Sequence, residues 1–247
     1  MDSEDDLQYG KGDVTFLHGA ARSADPLPRG QHDLSPEYVA AHQRIRIQEA
    51  TTHVVAERGY GAATIGDIVA RAHVSRRTFY AHFETKDHAA LATFGASVQC
   101  IAEAVRSHYA AQDEWDAAVA AGLTELMRVL VEYPATARLC LLEIRSVGAM
   151  AVEPKQAAYA MCTEALRRAA ADRPGGPAMT DIALEMGVGG LFAVVRARLA
   201  TDDLSALQRE LPEMAQALLE PLVGREPTRS VVKRIEAAPS VSAAHAI

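Results

Sequence analysis

The chain has 247 residues, of which 49% are hydrophobic and 5% aromatic, and its formal net charge at pH 7 is −7. This length and apolar content allow one large helical domain or two smaller ones, and the scarcity of alternating β-branched residues argues against a strand-rich sandwich. The acidity argues against non-specific coating of nucleic acid, but it allows a local basic site because salt screens charges beyond roughly 10 Å.

The first 34 residues form the first segment of the chain. They carry seven acidic and three basic side chains, with scattered Gly and Pro and no sustained hydrophobic period. Such a composition buries too little apolar surface to offset the entropy of folding. Residues 1–34 are therefore predicted to be a flexible arm.

The first predicted helix begins directly after this arm. Ser35 is a typical N-cap, and Pro36 suits the first helical position because its missing N–H is not needed there. Gly59 is expected to end the helix, since glycine is common just after a helix C-terminus. The positions expected on the apolar face are Ala40, Ile47, Ala50 and Val54.

Two short helices are predicted next. Thr64 is placed to cap a helix over residues 65–72, and Ser75 is placed to cap another, in which two phenylalanines lie four positions apart on one face. Two short helices joined by a tight turn and packed on a longer one form a helix-turn-helix, whose second short helix can enter the DNA major groove. The sequence therefore predicts a DNA-binding domain over residues 35–84.

A larger helical domain is predicted over residues 85–224. Apolar residues recur at intervals of three and four from Leu91 to Val105 and again from Trp115 to Leu130, as in amphipathic helices. Two more helices are expected over residues 135–150 and 155–170. The predicted fold class is thus all-α, with an N-terminal three-helix helix-turn-helix head and a larger C-terminal helical domain.

Two closing segments, residues 180–200 and 203–222, differ in their patterns. The first is apolar nearly all round, whereas the second carries its leucines and a methionine on one face. Pro212 is expected to kink or restart the last helix. After Gly224 the periodicity weakens, so residues 225–247 are predicted to be a C-terminal tail.

The all-round apolar helix indicates a partner chain. Such a helix must be covered on every side, and a second copy of the chain would cover it, with glycines allowing close approach. The alternative is a core helix that is covered within one chain. The candidate interface residues are Gly187, Gly189, Gly190, Leu191, Leu211, Met214 and Leu218.

The stretch "HVSRRTFYAHF", residues 73–83, contains two arginines and no acidic residue. Arginine can donate two hydrogen bonds to guanine and a threonine methyl can meet a thymine methyl, so base readout is assigned to Arg76, Arg77 and Thr78. Short or cationic groups at helix starts and flanks suit phosphates. The residues assigned to phosphate contact are Thr64, Ser75, Tyr80, His82 and Lys86. The alternatives are a solvated face for the arginines and a core position for the tyrosine.

The run "TIGDIVARAHVSRRTFYAHFETKDHAAL", residues 64–91, resembles the DNA-binding signature of the TetR (tetracycline repressor) family. The departures are Val69 for the usual alanine, His73 for the customary turn glycine and His88 where leucine is typical. Farther along, the run "GVGGLFAVVRARLA", residues 187–200, is also similar to that family.

The resemblance implies a homodimeric transcriptional repressor that binds a palindromic operator in double-stranded DNA and is released by a small-molecule effector. The domain of residues 85–224 would then bind the effector and form the dimer. Ordinary core packing is the alternative for each candidate pocket residue. These candidates, chosen by residue type, are Trp115, Met127, Tyr133, Cys140, Glu143, Met150, Tyr159 and Met161.

Other functional classes find little support in the sequence. No nucleophile elbow, glycine-rich phosphate loop or His-Glu-x-x-His pattern indicates an enzyme, and a helical interaction module without DNA is the other alternative. Cys100, Cys140 and Cys162 are odd in number and far apart, which predicts neither disulfides nor a metal site, and no cofactor is expected. Without an apolar leader or spanning segment, a cytoplasmic protein without membrane contact is expected.

Overall fold

The computed structural model describes residues 35–173 and 180–238, which form helices joined by short connections. The arm assigned to residues 1–34 and the end of the chain after Ala238 lie outside the described residues. No strand occurs in the described parts, and the all-α fold class is confirmed. The helices are α1 Pro36–Arg58, α2 Ile65–Ala72, α3 Arg76–His82, α4 Lys86–Ala110, α5 Trp115–Glu132, α6 Pro134–Leu141, a 3-10 helix Glu143–Ala151, α7 Val152–Ala171, α8 Asp181–Ala200, α9 Ser205–Arg209, α10 Leu211–Val223 and α11 Arg225–Ala237.

The three helices of the head begin at the capping residues that the sequence predicted. Ser35, Thr64 and Ser75 each accept a hydrogen bond from the backbone N–H three residues later, at 3.2, 3.2 and 3.0 Å. Gly59 ends α1 with a φ of 77°, in the left-handed region that favours glycine. Local side-chain chemistry therefore sets these boundaries, because each cap satisfies a donor that the helix leaves unpaired.

The head core forms where α1, α2, α3 and the start of α4 meet. Ile47, Ile68 and Phe79 are fully buried in it, and burial of each such side chain stabilises the fold by about 1.5–3 kcal/mol. Leu139 of α6 packs into the same core. Ala40, which was expected on the apolar face of α1, is exposed because the first turns of α1 extend past this core.

The C-terminal domain, residues 86–237, is called the body here. α4 links it to the head and packs along α5, while α5 also packs against α11. The body core lies among α5, α8, α9 and α10, where Met127, Leu184, Leu207 and Leu219 are almost completely buried. The head therefore rests on α4 and α6, and these two helices connect it to the body.

Two predictions about the body were wrong in detail. Residues 225–237 are not a tail but helix α11, whose Val231 and Ile235 are buried against α5 and α10. The sequence signal was weak because the rest of the helix is strongly polar. The helix predicted over residues 135–150 divides at Leu142 into α6 and the 3-10 helix, and Gly148 interrupts the 3-10 helix with a φ of 83° that a regular helix cannot contain.

Pro212 restarts the last segment as predicted. α9 ends at Arg209, and α10 begins at Leu211 with the proline in its first turn, where its missing N–H costs nothing. Within the described ranges, no helix is long and apolar enough to cross a membrane. No disulfide joins Cys100, Cys140 and Cys162 within the described residues, and burial raises the pKa of Cys140 to about 12 and that of Cys162 to about 11.

Candidate nucleic-acid interface

Helix α2 is anchored at its N-terminus by a capping box. The Asp67 carboxylate accepts hydrogen bonds from the backbone N–H of Thr64 at 3.1 Å and from its hydroxyl at 2.6 Å, and Arg58 lies 3.1 Å from the same carboxylate. These contacts, above all the hydrogen bond from the Thr64 side chain, hold the pKa of Asp67 below its usual value. The box fixes the start of the helix that supports α3.

The turn between α2 and α3 is centred on His73. This residue has a φ of 50° and a ψ of 44°, the left-handed conformation for which glycine is customary. The backbone N–H of Val74 donates to the carbonyl of Val69 at 3.1 Å, which closes the turn. The chain therefore makes the tight turn that the helix-turn-helix requires, although His73 carries a side chain where glycine has only a hydrogen atom.

Helix α3 presents two different faces. Phe79 is fully buried and Phe83 is nearly so, and their ring centroids lie 5.9 Å apart. Arg76 and Arg77 point away from this core, and neither guanidinium has a carboxylate within ion-pair distance in the described parts of the chain. Tyr80 is 52% exposed. The helix is thus held by its phenylalanines and presents cationic and polar groups to solvent.

The remaining predicted readout residues sit at the start of α3. The hydroxyls of Ser75 and Thr78 lie 2.9 Å apart and share a hydrogen bond. Arg76 lies beside Gly66 in the first turn of α2. A Cβ atom added to this glycine would lie 3.2 Å from Nη2 of Arg76. Oγ1 of Thr64 would lie 3.4 Å from the same added atom, so Thr64 is also next to Gly66. Arg76 and Thr64 are therefore brought together, while Arg77 is exposed.

His82 lies at the end of α3 and contacts α1. Its Nε2 is 3.4 Å from Oε1 of Gln43, and its carbonyl accepts a hydrogen bond from Arg44 at 3.4 Å. Burial, and secondarily Arg44, lower the pKa of His82, so the imidazole is neutral at pH 7. Arg44 was not among the predicted site residues. It also stacks on Phe83, with its guanidinium carbon 4.6 Å from the ring centroid.

Lys86 lies at the start of α4 and holds the loop between α1 and α2. Its ammonium donates to the carbonyl of Tyr60 at 2.8 Å and to that of Ala63 at 2.9 Å, and it lies 4.2 Å from the Tyr60 ring centroid. The Tyr60 hydroxyl donates to Asp87. One ammonium proton remains for any further acceptor.

The predicted effector residues do not converge on one site. Trp115 donates to the carbonyl of Ala169, and Met127 is in the body core. Tyr159 donates to the carbonyl of Glu185, while Met150 is 47% exposed. Three others lie elsewhere. Tyr133 is beside Arg128, Cys140 of α6 packs in a cluster with α4 and the 3-10 helix, and Met161 is half-buried on α7.

Glu143, also assigned to the effector pocket, lies at the junction of head and body. Its Oε2 accepts a hydrogen bond from the backbone N–H of Tyr60 at 2.8 Å. Because Tyr60 follows the end of α1, this bond joins the 3-10 helix to the head. Sequence reasoning missed the contact because the two residues are 83 positions apart.

The predicted dimer residues fall into two groups. Leu211, Met214 and Leu218 are already buried in the body core of the same chain. Gly187 and Gly189 also pack within the chain, where a larger residue would not fit. A Cβ atom added at Gly187 would lie 2.8 Å from the Leu218 side chain, and one added at Gly189 would lie 2.9 Å from the Tyr159 hydroxyl. Leu191 is half-buried, and only Gly190 has open space beside it.

The exposed surface of α8 was not identified from the sequence. Ile182 is 65% exposed and Met186 is 72% exposed, and Gly190, Ala193 and Ala197 follow them on the same side of the helix. This set, called the α8 face here, is apolar throughout. The hydrophobic pattern alone could not separate it from the buried side, because α8 is apolar all round.

Residues 47–93 match the family model for bacterial regulatory proteins of the tetR family. The head is thus similar in sequence to that of bacterial tetR-family regulators. A search of curated protein sequences found no match. The match covers α1 from Ile47 onward, the whole helix-turn-helix and the first turns of α4. The matched residues therefore include the capped helices, the turn at His73 and the α3 surface described above.

Solved structures agree with the whole fold. Native TylP, a TetR regulator from Streptomyces fradiae, has a TM-score of 0.62 at 22% identity, over 79% of this chain and 91% of that chain. FadR from Bacillus subtilis, in complex with stearoyl-CoA, has a TM-score of 0.61 at 16% identity, over 74% and 99%. A gamma-butyrolactone receptor described as ArpA-like has a TM-score of 0.58 at 22% identity, over 80% and 98%. These likenesses show that the all-α fold of head and body is a known one.

Proposed function

We propose that the protein is a ligand-responsive transcriptional repressor that binds a palindromic operator as a homodimer. The observation that carries the proposal is helix α3, on which Phe79 is buried while Arg76 and Arg77 are exposed without a carboxylate partner among the described residues. The chain as a whole has a net charge of −7, which repels DNA, so the two exposed guanidinium groups direct DNA to this helix.

The two arginines have different positions, which suggests different roles. Arg77 is exposed and is assigned to a base edge, with Thr78 beside it. Arg76 lies against the N-terminal turn of α2 near Thr64, so it also reaches a position suited to a phosphate. Ser75, Tyr80, His82 and Lys86 are assigned to the phosphate backbone on the flanks of α3, with the one free proton of Lys86 available for it.

The dimer is proposed to form through the α8 face. A soluble chain rarely exposes adjacent large apolar side chains such as Ile182 and Met186 without a partner. The neighbouring surface of α10 is also open, with Gln216, Ala217 and Pro221 exposed. A second copy packed on both helices would form a four-helix interface with two-fold symmetry.

The effector is proposed to be a small organic molecule bound within the body. Among the similar structures, FadR is in complex with stearoyl-CoA and another protein is described as a gamma-butyrolactone receptor. A ligand that shifts α6 or the 3-10 helix would also shift the head, because Leu139 lies in the head core and Glu143 accepts a hydrogen bond from Tyr60. The effector would release DNA by favouring a conformation of the dimer in which the two heads are too far apart to enter successive major grooves.

Selection from a randomised duplex library with the purified full chain tests this function. The expected product is a palindrome whose half-sites are about 10 base pairs apart, since a dimer meets major grooves roughly 34–36 Å apart. A reporter gene behind that palindrome should be silenced by the protein. If no sequence is enriched over the unselected library, the DNA-binding proposal is wrong, and an adaptor function then becomes the better explanation.

A further inference from the structure

Arg46 of α1 is a buried cation in the head. It is 8% exposed, although arginine is normally found at the surface. Its Nη2 donates to the carbonyl of Ala72 and, at 3.3 Å, to the carbonyl of His73. Those two carbonyls belong to the last residue of α2 and to the central residue of the turn. The guanidinium therefore crosses from α1 to the one place where the chain changes direction between α2 and α3.

Burial of this guanidinium needs compensation. A buried charge is costly unless it is hydrogen-bonded, and burial lowers the pKa of Arg46. The compensation comes from carbonyls that α2 leaves unpaired at its C-terminus, where the helix dipole is negative and favours a cation. The arrangement satisfies donor and acceptors together, so Arg46 fixes the end of α2 to α1.

The two hydrogen bonds from Arg46 to the carbonyls of Ala72 and His73 are called the clamp here. The residue at the centre of the turn explains why they are useful. His73 adopts the left-handed conformation, which a residue with a Cβ disfavours and glycine accepts readily. Arg46 binds the carbonyl on each side of the His73 Cα. Pairing both carbonyls holds the peptide groups in the orientation that the left-handed residue requires.

We infer that Arg46 is a positioning residue for DNA recognition, which holds the turn at His73 and thereby sets the direction of α3 relative to α1. The inference rests on the proposed function, because the direction of α3 matters only if α3 reads DNA. Arg46 itself is too deeply buried to reach a phosphate. Its loss should therefore misalign base contacts and leave the number of phosphate contacts unchanged.

The test compares five full-length proteins, namely wild type, Arg46→Met, His73→Gly, the double variant and Arg71→Met. Arg71 provides the control because it is an exposed head arginine, 2.7 Å from Glu57, whose loss removes one charge without touching the turn. Each protein is titrated against the selected duplex and against a scrambled duplex over a range of salt concentrations. Hydrogen exchange of the Val74 amide, which is bonded to Val69 across the turn, reports on the turn without DNA.

Arg46→Met is expected to weaken binding to the selected duplex roughly tenfold or more, equivalent to one lost bidentate base contact. Affinity for the scrambled duplex and the slope of log Kd against log salt should stay as in wild type, since each lost phosphate contact would change that slope by about 0.9. The Val74 amide should exchange faster. Adding His73→Gly should restore both binding and protection, because glycine adopts the left-handed turn without the clamp. Arg71→Met should show no loss of preference for the selected duplex.

Several results would overturn the inference. Unchanged specific binding or unchanged exchange in Arg46→Met would show that the clamp does nothing, and a shallower salt slope would show a direct phosphate contact. Failure of His73→Gly to rescue would separate Arg46 from the turn. If Arg46→Met does not fold, Arg46→Lys gives the same comparison, with a smaller loss expected because an ammonium keeps the charge and can still donate to the two carbonyls. If wild type does not distinguish the two duplexes, the proposed function fails, while the exchange data still decide whether Arg46 holds the turn.

Discussion

Single residues in the head differ in how far they serve the fold, and exposure separates them. Arg77 is exposed and has no partner among the described residues, whereas Lys86 is half-buried and donates to two carbonyls. Both are cations in the same stretch of sequence, so composition could not tell them apart. The consequences of replacing them should differ accordingly.

Replacing Arg77 by Ala should cost about 1–3 kcal/mol in binding to the selected operator and should blur the preference at one base position. The reason is the loss of a bidentate donor to a base edge. Repeating the duplex selection with the variant measures both effects. A uniform loss across all positions would instead place Arg77 on the phosphate backbone.

Replacing Lys86 by Ala should lower the free energy of unfolding by about 1–3 kcal/mol, because it leaves the carbonyls of Tyr60 and Ala63 without a donor. Urea unfolding followed by circular dichroism measures the change. Lys233→Ala is the matched control, since Lys233 is exposed on α11. Equal stability of both variants would mean that water replaces the Lys86 ammonium without cost.

Among the helices, α11 shows that a mostly polar helix can contribute to the body core through a few apolar residues. Val231 is fully buried and Ile235 is nearly so, and Arg234 of the same helix pairs with Asp116 at 2.9 Å. The ion pair is exposed and contributes little, whereas the two apolar side chains together stabilise the body by about 3–6 kcal/mol. That amount is a large part of the stability of an ordinary domain.

Truncation after Gly224 should therefore destabilise the body strongly and give a protein that unfolds at much lower temperature or fails to fold. Truncation after Ala238 is the control, because it keeps α11 intact. Thermal unfolding of the two proteins measures the difference. Similar melting temperatures would show that α11 is dispensable for stability, as a tail would be.

At the scale of the whole molecule, the α8 face and the head depend on each other in the proposed function. One recognition helix reads a half-site, and the second half-site adds affinity only if the two heads are held in one dimer. The apolar side chains of the α8 face lie far along the chain from α3. A change there should nevertheless alter DNA binding.

Met186→Arg should give a monomer in sedimentation at micromolar concentration, because the new charge cannot be buried against a second copy. Specific operator affinity should fall with dimerisation, while the fold is kept because Met186 is 72% exposed. Met150→Arg is the matched control at an exposed methionine outside the α8 face. A Met186→Arg protein that still sediments as a dimer would place the interface elsewhere.

The sequence by itself determined the helical class, the helix-turn-helix and its caps, and the burial of Phe79 beneath two exposed arginines. These features depend on interactions between residues within a few positions of each other, which spacing and residue type reveal. Only the tertiary structure decided that Glu143 and Leu139 join the body to the head, that Arg46 binds the turn, that α11 is core and which side of α8 is open. Those contacts join residues far apart along the chain, and the patterns of arginine, glutamate and apolar residues are the same whether such a side chain finds a partner or faces water.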